Sequence, residues 1–449
     1  MKKRNFESMP IINSQSAGID VGSRSHFVAI GQDPEKDVSE FGVYSQYHQK
    51  MIDFLRNHRI TTIAMESTGS YWQSLFYALQ NAGFEVLLVS GQQTKNVRAK
   101  TDVKDCVWIQ KLHSLGLLRG CFLPDKHTAK LRHLYRHRMS LIEESAKMTN
   151  KMQKAMRMMN VRLDVVINDI TGKTGIAIIE AILAGERDGQ VLSQQADSRI
   201  RRSKEEIALA LKGRWDEELL YELEDCYQIY MMLQGKIKAS EKRLEILLNE
   251  FTEDIHVDNQ EVNLTRKQTK GKNQPKFNLT TLSYKFYGVD LFAIESISTS
   301  TVLTLICEIG QGIYKFHSAK QFASFLRLAP NNRISGGKVI SSRTPKGGNK
   351  FALALRNAAN TIDRTKDGAL TRFFKRVAYK KGRAAAITAT ARKLAVIIWN
   401  MIVKNESYQP LDIPHYKELI KAMTIASIKN RMIKMDISLL ELSPQTEVS

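Results

Sequence analysis

AGIDVGSRSHFVAI, residues 17–30, decides the first domain. Ala17 to Val21 and Phe27 to Ile30 are two short apolar runs of strand length, and Gly22-Ser23-Arg24 between them is turn chemistry, so the segment reads as a β-hairpin. Working outward, Thr61 to Met65 and Glu85 to Val89 are β-branched or apolar runs that read as further strands. Tyr71 to Ala82 carries Trp72, Leu75, Phe76 and Leu79 at helical spacing, and a helix is expected over Lys104 to Leu118. Strands alternating with helices predict an α/β domain over residues 1–125.

Acidic residues fall at the ends of these elements. Asp20 closes the first strand in Gly18-Ile19-Asp20-Val21-Gly22, and Glu66 follows the strand Thr61 to Met65. The ends of strands are where catalytic groups of an α/β sheet converge. Asp102 and Asp105 stand at i, i+3, which puts both on one helix face about 5 to 6 Å apart. Carboxylates so close repel unless a cation lies between them, and hard ions such as Mg²⁺ prefer carboxylate oxygens. Two such ions can clamp the attacking and leaving oxygens of a phosphodiester displacement. Each Asp taken singly also fits a helix N-cap or a solvated surface group; four acids in these places favour function.

Past residue 125 the pattern changes. Thr128 to Leu163 has no Pro or Gly and carries Leu131, Leu134, Tyr135, Met152 and Met156 at helical spacing, which predicts one long amphipathic helix. Glu217 to Phe251 predicts a second, and the two are expected to pair as antiparallel arms, with a seam too irregular for a strict heptad. Residues 263–283 are polar and basic and read as a linker or nucleic-acid-contacting arm closing a helical region, 126–285. Helices are expected over Lys350 to Thr361 and Ala384 to Val403 in a third region, 286–405, followed by a tail, 406–449.

The charge of +21 is not spread evenly. Residues 1–125 hold 14 Lys+Arg against 12 Asp+Glu, and residues 201–262 hold 9 against 15. Residues 315–404 hold 20 Lys+Arg and only Asp363 and Asp367, the footprint of a polyanion-binding surface. Arg333, Lys338, Arg343, Lys346, Lys350, Arg356, Arg383 and Lys393 are the expected backbone contacts, with Arg98, Lys100 and Lys104 beside the paired acids. Within the basic region, Arg333-Ile334-Ser335-Gly336-Gly337-Lys338 sets one serine beside two glycines and two cations. Glycines admit a phosphate close to the backbone, and the cations favour a hydroxyl nucleophile at Ser335; an ordinary turn in a basic loop fits the same residues.

Other classes fit poorly. Hydrophobic residues at 43% and charged residues at 25% are the balance of a globular chain. The four cysteines (Cys106, Cys121, Cys226 and Cys307) form no C-x-x-C pair, which argues against a disulfide framework or zinc site, and the absence of a signal-like apolar run near Met1 makes the cytoplasm the expected compartment. Gly18 to Gly22 could also open an actin-like kinase, but no second phosphate loop accompanies it, and Ser335-Gly336-Gly337-Lys338 lacks the residues of a P-loop.

Taken in order, these pieces resemble the IS110 family of transposases, and within it the IS1111 group. The resemblance rests on Gly18-Ile19-Asp20-Val21, Glu66-Ser67-Thr68-Gly69-Ser70-Tyr71-Trp72, Lys100-Thr101-Asp102-Val103-Lys104-Asp105, Gly288-Val289-Asp290-Leu291, Leu328-Ala329-Pro330, Ser335-Gly336-Gly337-Lys338 and Leu355-Arg356-Asn357-Ala358-Ala359. It implies a RuvC-like (RNase H fold) domain with an acidic site at Asp20, Glu66, Asp102 and Asp105, a helical coiled-coil middle, and a mainly α C-terminal transposase domain whose catalytic serine is Ser335. It further implies Mg²⁺-dependent recombination of donor and target DNA guided by a noncoding bridge RNA, in a homo-oligomer built as a dimer of dimers, with the acids of one subunit completed by the serine of another. The chain departs from the family pattern at Ser90-Gly91, where Asn is common, at Phe325, where Trp is frequent, and in its longer acidic middle, 201–262. A RuvC-like resolvase using water, and an idle nucleic-acid-binding protein, are the competing readings.

Overall fold

The computed structural model describes residues 9–94, 101–253, 268, 271–364, 368–409 and 413–435. They form two compact units that divide between Leu123 and Pro124.

The first unit is built on a five-stranded sheet. Its strands are β1 (Ser16–Val21), β2 (Ser25–Ala29), β3 (Val38–Gly42), β4 (Thr62–Glu66) and β5 (Glu85–Val89), in the order β3-β2-β1-β4-β5. β1, β2 and β3 are antiparallel neighbours, whereas β4 runs parallel to both β1 and β5. The expected hairpin, the two later strands and the helix after Glu66 are all present. β3 was not expected, because Val38-Ser39-Glu40-Phe41-Gly42 is half-exposed at the sheet edge and carries little apolar signal; the helix α1 (Ser45–Asn57) was also not expected, although His48, Met51, Ile52 and Leu55 bury one face of it.

Side chains alternate along a strand, so Ala17, Ile19 and Val21 face one side of the sheet, and Gly18 and Asp20 the other. The first side packs on Met51, Ile52 and Leu55 of α1 and on Leu75, Phe76 and Leu79 of α2 (Trp72–Asn81), forming the unit's core. A short helix, α3 (Gly91–Thr94), follows β5, and α4 (Asp102–Ser114) covers the second side.

The second unit is helical apart from one hairpin. Its frame is α5 (Lys126–Met158), capped by the Asp125 carboxylate accepting from the Thr128 N–H at 2.8 Å. Four short helices follow, α6 (Leu163–Val166), α7 (Lys173–Leu183), α8 (Gly189–Ser193) and α9 (Lys204–Ala210), before α10 (Glu217–Glu250) returns along α5. His127 meets Phe251, Arg138 meets Glu241 and Ser145 meets Gln234, so the pairing is antiparallel and within one chain. The acidic stretch thus supplies α9 and α10. At their far end Met152, Met156, Ile178, Ile182, Leu223 and Tyr230 share a core.

The expected basic linker ends earlier than its composition indicated. Asn278 caps α11 (Leu279–Tyr287), and Phe277, Leu279 and Leu282 are buried; residues 263–267 and 269–270 lie outside the described residues. α12 (Thr299–Glu308) packs on α5, where Arg136 pairs with Glu308 at 2.7 Å and Tyr135 hydrogen-bonds Thr304 at 2.7 Å. These contacts tie residues expected in separate regions, 126–285 and 286–405, into one unit. Beyond α13 (Ala319–Phe325) come the hairpin β6 (Arg333–Ser335) and β7 (Lys338–Ser341), then α14 (Lys350–Thr361), α15 (Ala369–Lys381) and α16 (Arg383–Lys404). α16 is long and apolar enough to cross a membrane by composition, but Leu394, Ala395, Ile398 and Trp399 are buried in the unit's core, and Trp399 donates to the Phe316 carbonyl at 3.2 Å. The tail holds a last helix, α17 (Ile413–Met435). Residues 436–449 are outside the described residues.

Candidate active site

Asp20 and Glu66 end adjacent parallel strands. The register pairs Ile19 with Met65, so the next residues on each strand, Asp20 and Glu66, lie side by side at the C-terminal edge. Both face the side that α4 covers. Gly18 lets α4 approach: a Cβ there would lie 2.2 Å from the Gln110 nitrogen and 2.5 Å from the Cys106 carbonyl oxygen. Only a residue without a side chain permits that backbone contact. The contact brings the first turn of α4, with Asp102 and Asp105, to the strand ends. Thr101 caps the helix by accepting from the Lys104 N–H at 3.3 Å, and the helix N-terminus tolerates the two acids that follow.

Asp20 registers this convergence. Burial, then the charges of Asp102, Asp105 and Glu66, push its carboxyl up to about 6 from an ordinary 3.8, against one opposing hydrogen bond from the Val21 backbone. Burial also raises the neighbouring Cys106 thiol to about 12, so it is an inert, protonated packing group. An all-carboxylate set with one member held against its own ionisation is what a hard divalent cation relieves, and in that respect the donors fit Mg²⁺. Among the described residues no three ligating side chains lie close enough together to hold a metal ion.

Glu66 has partners that the sequence did not single out. Thr94 donates to its Oε2 at 2.7 Å and Thr68 to its Oε1 at 3.4 Å, while a Cβ at position 91 would lie 2.6 Å from Oε1. The absence of a side chain at Gly91 therefore makes room for the carboxylate. A strand-end acid followed within thirty residues by a small residue at the next strand end was the available signal, but it depends on β4 and β5 being neighbours.

Ser335 lies in the second unit, at the end of β6 and paired with Lys338 across the turn. Gly336 and Gly337 have φ of 54° and 74°, the two left-handed residues that a type I′ hairpin demands. The segment is therefore a hairpin tip rather than an open loop, and Arg333, Ser335 and Lys338 are all exposed on it. Ile334, Val339 and Ile340 are also 62%, 57% and 71% exposed, an unusual display of large apolar side chains around one serine.

The expected nucleic-acid contacts divide into three groups. Lys104, Arg343, Lys346 and Lys350 are exposed, and Arg356 is half-buried. Arg383 is also exposed but is engaged by its own chain: it pairs with Asp363 at 2.7 Å, donates to the Asn360 side chain at 3.0 Å and lies over the Phe374 ring. That network joins the start of α16 to the end of α14, which gives Arg383 a structural task that its place in the basic run did not reveal. Lys393 is half-buried over Phe373, and Arg98 and Lys100 lie outside the described residues.

Residues 17–161 match the family model of the DEDD transposase of IS110 elements, and residues 290–373 match that of the transposase IS116/IS110/IS902 family. Together the two matches cover about half of the chain. The chain belongs to the IS110 family of transposases. It is also 26% identical over 126 residues to the transposase for insertion sequence element IS1111A of Coxiella burnetii (strain RSA 493 / Nine Mile phase I), a match spanning 26% of this chain and 33% of that protein. In this IS110-family chain the four acids all fall inside the first matched segment and Ser335 inside the second.

Proposed function

We propose that this chain is a Mg²⁺-dependent DNA recombinase that cuts and rejoins donor and target DNA, with Asp20, Glu66, Asp102 and Asp105 as its metal-binding acids, Ser335 as its nucleophile and an element-encoded bridge RNA as its guide. The observation that carries the reading is the placement of Asp20 and Glu66 side by side on adjacent strands, with the first turn of α4, bearing Asp102 and Asp105, packed against that side of the sheet. The β3-β2-β1-β4-β5 order, with one antiparallel half and one parallel half, supports an RNase H fold of the RuvC type for the first unit. The paired α5 and α10 are read as its coiled-coil arm.

The four acids would hold the ions, which when bound polarise the scissile phosphate and stabilise the leaving oxygen. The exposed hydroxyl of Ser335 attacks phosphorus: its Oγ–P bond forms as the P–O bond to the departing strand breaks, the serine proton is released and the departing oxygen takes one up. Attack by the hydroxyl of a second strand then reverses the step and frees the serine, so the phosphodiester energy is conserved rather than lost to water. Arg333 and Lys338 flank the serine and stabilise the phosphate as charge builds on it. The apolar tips of the same hairpin support a serine that works against another subunit of an oligomer, since a partner would cover them. The near-neutral first region and strongly basic 315–404 leave charge for both DNA and RNA.

The test is recombination between donor and target plasmids, with and without the flanking noncoding region of the element. Asp20→Asn and Asp105→Asn are expected to bind DNA but not cut it. Ser335→Ala is expected to form no protein–DNA adduct on a denaturing gel, and a mixture of Ser335→Ala with Asp105→Asn to regain activity. Cleavage by Ser335→Ala at the wild-type rate would replace the serine by water and make the chain a resolvase. Undiminished cutting in chelator would remove the metal, and equal recombination without the RNA would remove the guide.

A further inference from the structure

The second unit holds a cleft that the proposed chemistry does not use. It has a volume of about 960 Å³ and lies between the strand-end segment Ser342–Thr344, α15 and the first half of α16. Its rim carries Arg343, Arg376, Lys380, Lys381, Arg392 and Lys393, and no Asp or Glu is among its lining residues. Arg376 and Lys380 are one helical turn apart on α15, an i, i+4 like-charge pair that disfavours the helix by itself. Desolvation and the charge of Arg376 both lower the Lys393 ammonium, so the cations here crowd one another, and no ion pair to them is found among the described residues. Such charge is tolerated when a polyanion completes the site.

The floor distinguishes this cleft from a general basic surface. Phe373 is half-buried there beside Val377 and Val396, with the Arg376 guanidinium 5.7 Å and the Lys393 ammonium 4.8 Å from its ring centre. A phosphate has no use for an aromatic ring, whereas an unpaired base does, because any base can stack on an aromatic face. A duplex keeps its base faces stacked inside the helix and presents only phosphates and groove edges. The volume is that of clefts that enclose a drug-sized molecule, which is room for about two or three nucleotides and not for a double helix. Most of the lining, from Arg376 to Val396, also lies beyond the matched segment that ends at residue 373.

We propose that this cleft binds an unpaired stretch of nucleic acid, one base stacked on Phe373 and the adjoining phosphates held by Arg376, Arg392 and Lys393. The inference rests on the nucleic-acid function proposed above and assigns to one place the strand that recombination must leave unpaired. That strand is either single-stranded DNA opened at the exchange site or a single-stranded loop of the guide RNA, and both offer the same base face and phosphodiester.

The experiment measures binding of the full chain by fluorescence anisotropy to labelled mixed-sequence octamers of DNA and of RNA, and to a 20-base-pair DNA duplex. Phe373→Leu keeps apolar volume and removes the ring. It should weaken octamer binding by roughly 5- to 150-fold, the range that one lost base–aromatic stack gives, and leave duplex binding within about twofold. Phe373→Tyr should retain the octamer affinity, and near-identical melting of both variants checks that the fold is kept. Arg376→Ala and Arg392→Ala should each reduce the salt slope for the octamers by about 0.7. Loss confined to the DNA or to the RNA octamer identifies the source of the strand. Octamer binding indifferent to Phe373→Leu, lost equally with duplex binding, or displaced as well by a poly-glutamate peptide of equal charge overturns the cleft while leaving the recombinase reading in place. Failure of the wild-type chain to bind any of the three at low salt overturns that reading itself.

Discussion

Asp20→Asn should make the metal-free protein more stable while abolishing its proposed chemistry. Asp20 is partly buried beside three other carboxylates, and its carboxyl is raised from 3.8 to about 6. A folded-state value above the unfolded one means that the native state binds the extra proton between about pH 4 and 6. Stability contributed by that proton is therefore lost as pH rises through this window and is gone above it. The difference of roughly two pKa units corresponds to about 3 kcal/mol at pH 7.5. Because Asp20 keeps some solvent contact, screening reduces this to about 1.5 kcal/mol. Asn has nearly the same shape and no charge, so the variant should gain that amount at pH 7.5 and almost nothing at pH 4. Thermal melting of the full chain in chelator across this range, followed by circular dichroism, reads the difference between variant and wild type directly. Added Mg²⁺ should narrow the gap by stabilising the wild type alone. A gain that is equal at pH 4 and 7.5, or a variant that melts below wild type at pH 7.5, would refute the account of the four acids as a mutually repelling set.

Three further outcomes follow from particular contacts. Gly18→Ala places a methyl carbon against the α4 backbone at 2.2 Å from the Gln110 nitrogen, so it should cost about 1–3 kcal/mol in denaturant unfolding and lower DNA cutting far more than DNA binding. Arg138, 2% exposed, pairs with Glu241 at 2.6 Å and donates to the Asn273 carbonyl at 2.9 Å; Glu241→Leu should cost about 3–5 kcal/mol by leaving a buried cation, whereas Arg138→Met with Glu241→Leu should restore most of it. His26 lies 5.7 Å from His48 with its Nδ1 buried and unpartnered among the described residues, and burial followed by the His48 charge lowers it to about 4. The unfolded chain therefore takes up the proton first, stability falls as pH drops from about 6.5 toward 4 by up to about 3 kcal/mol, and His26→Phe should remove that component, opposite in sign to the Asp20 effect, from the pH profile of chemical denaturation.

Features that are local or periodic were legible in the order of the residues alone. Alternation and turn residues located β1, β2, β4 and β5, and the 3.6-residue spacing of apolar side chains located α10, α14 and α16 within a residue of their observed ends and α5 with an overshoot from Met158 to Leu163, where α6 begins. Acids at strand ends and in a helix's first turn were visible because their placement depends on element type alone, and ordered motifs were enough to carry the family resemblance. Tertiary structure decided what depends on neighbours distant in the chain. Gly18 reads as a hairpin residue until α4 is seen resting on it, and Gly91 and Thr94 become partners of Glu66 only because β5 lies beside β4. The basic run gave net charge but not its division between Arg383, engaged by Asp363 and Asn360, and the cations gathered around Phe373, which have no ion pair among the described residues. The physical reason is the same in each case: a sequence fixes which groups a residue offers, whereas packing fixes which of them are already paired, and only the unpaired ones remain for a ligand.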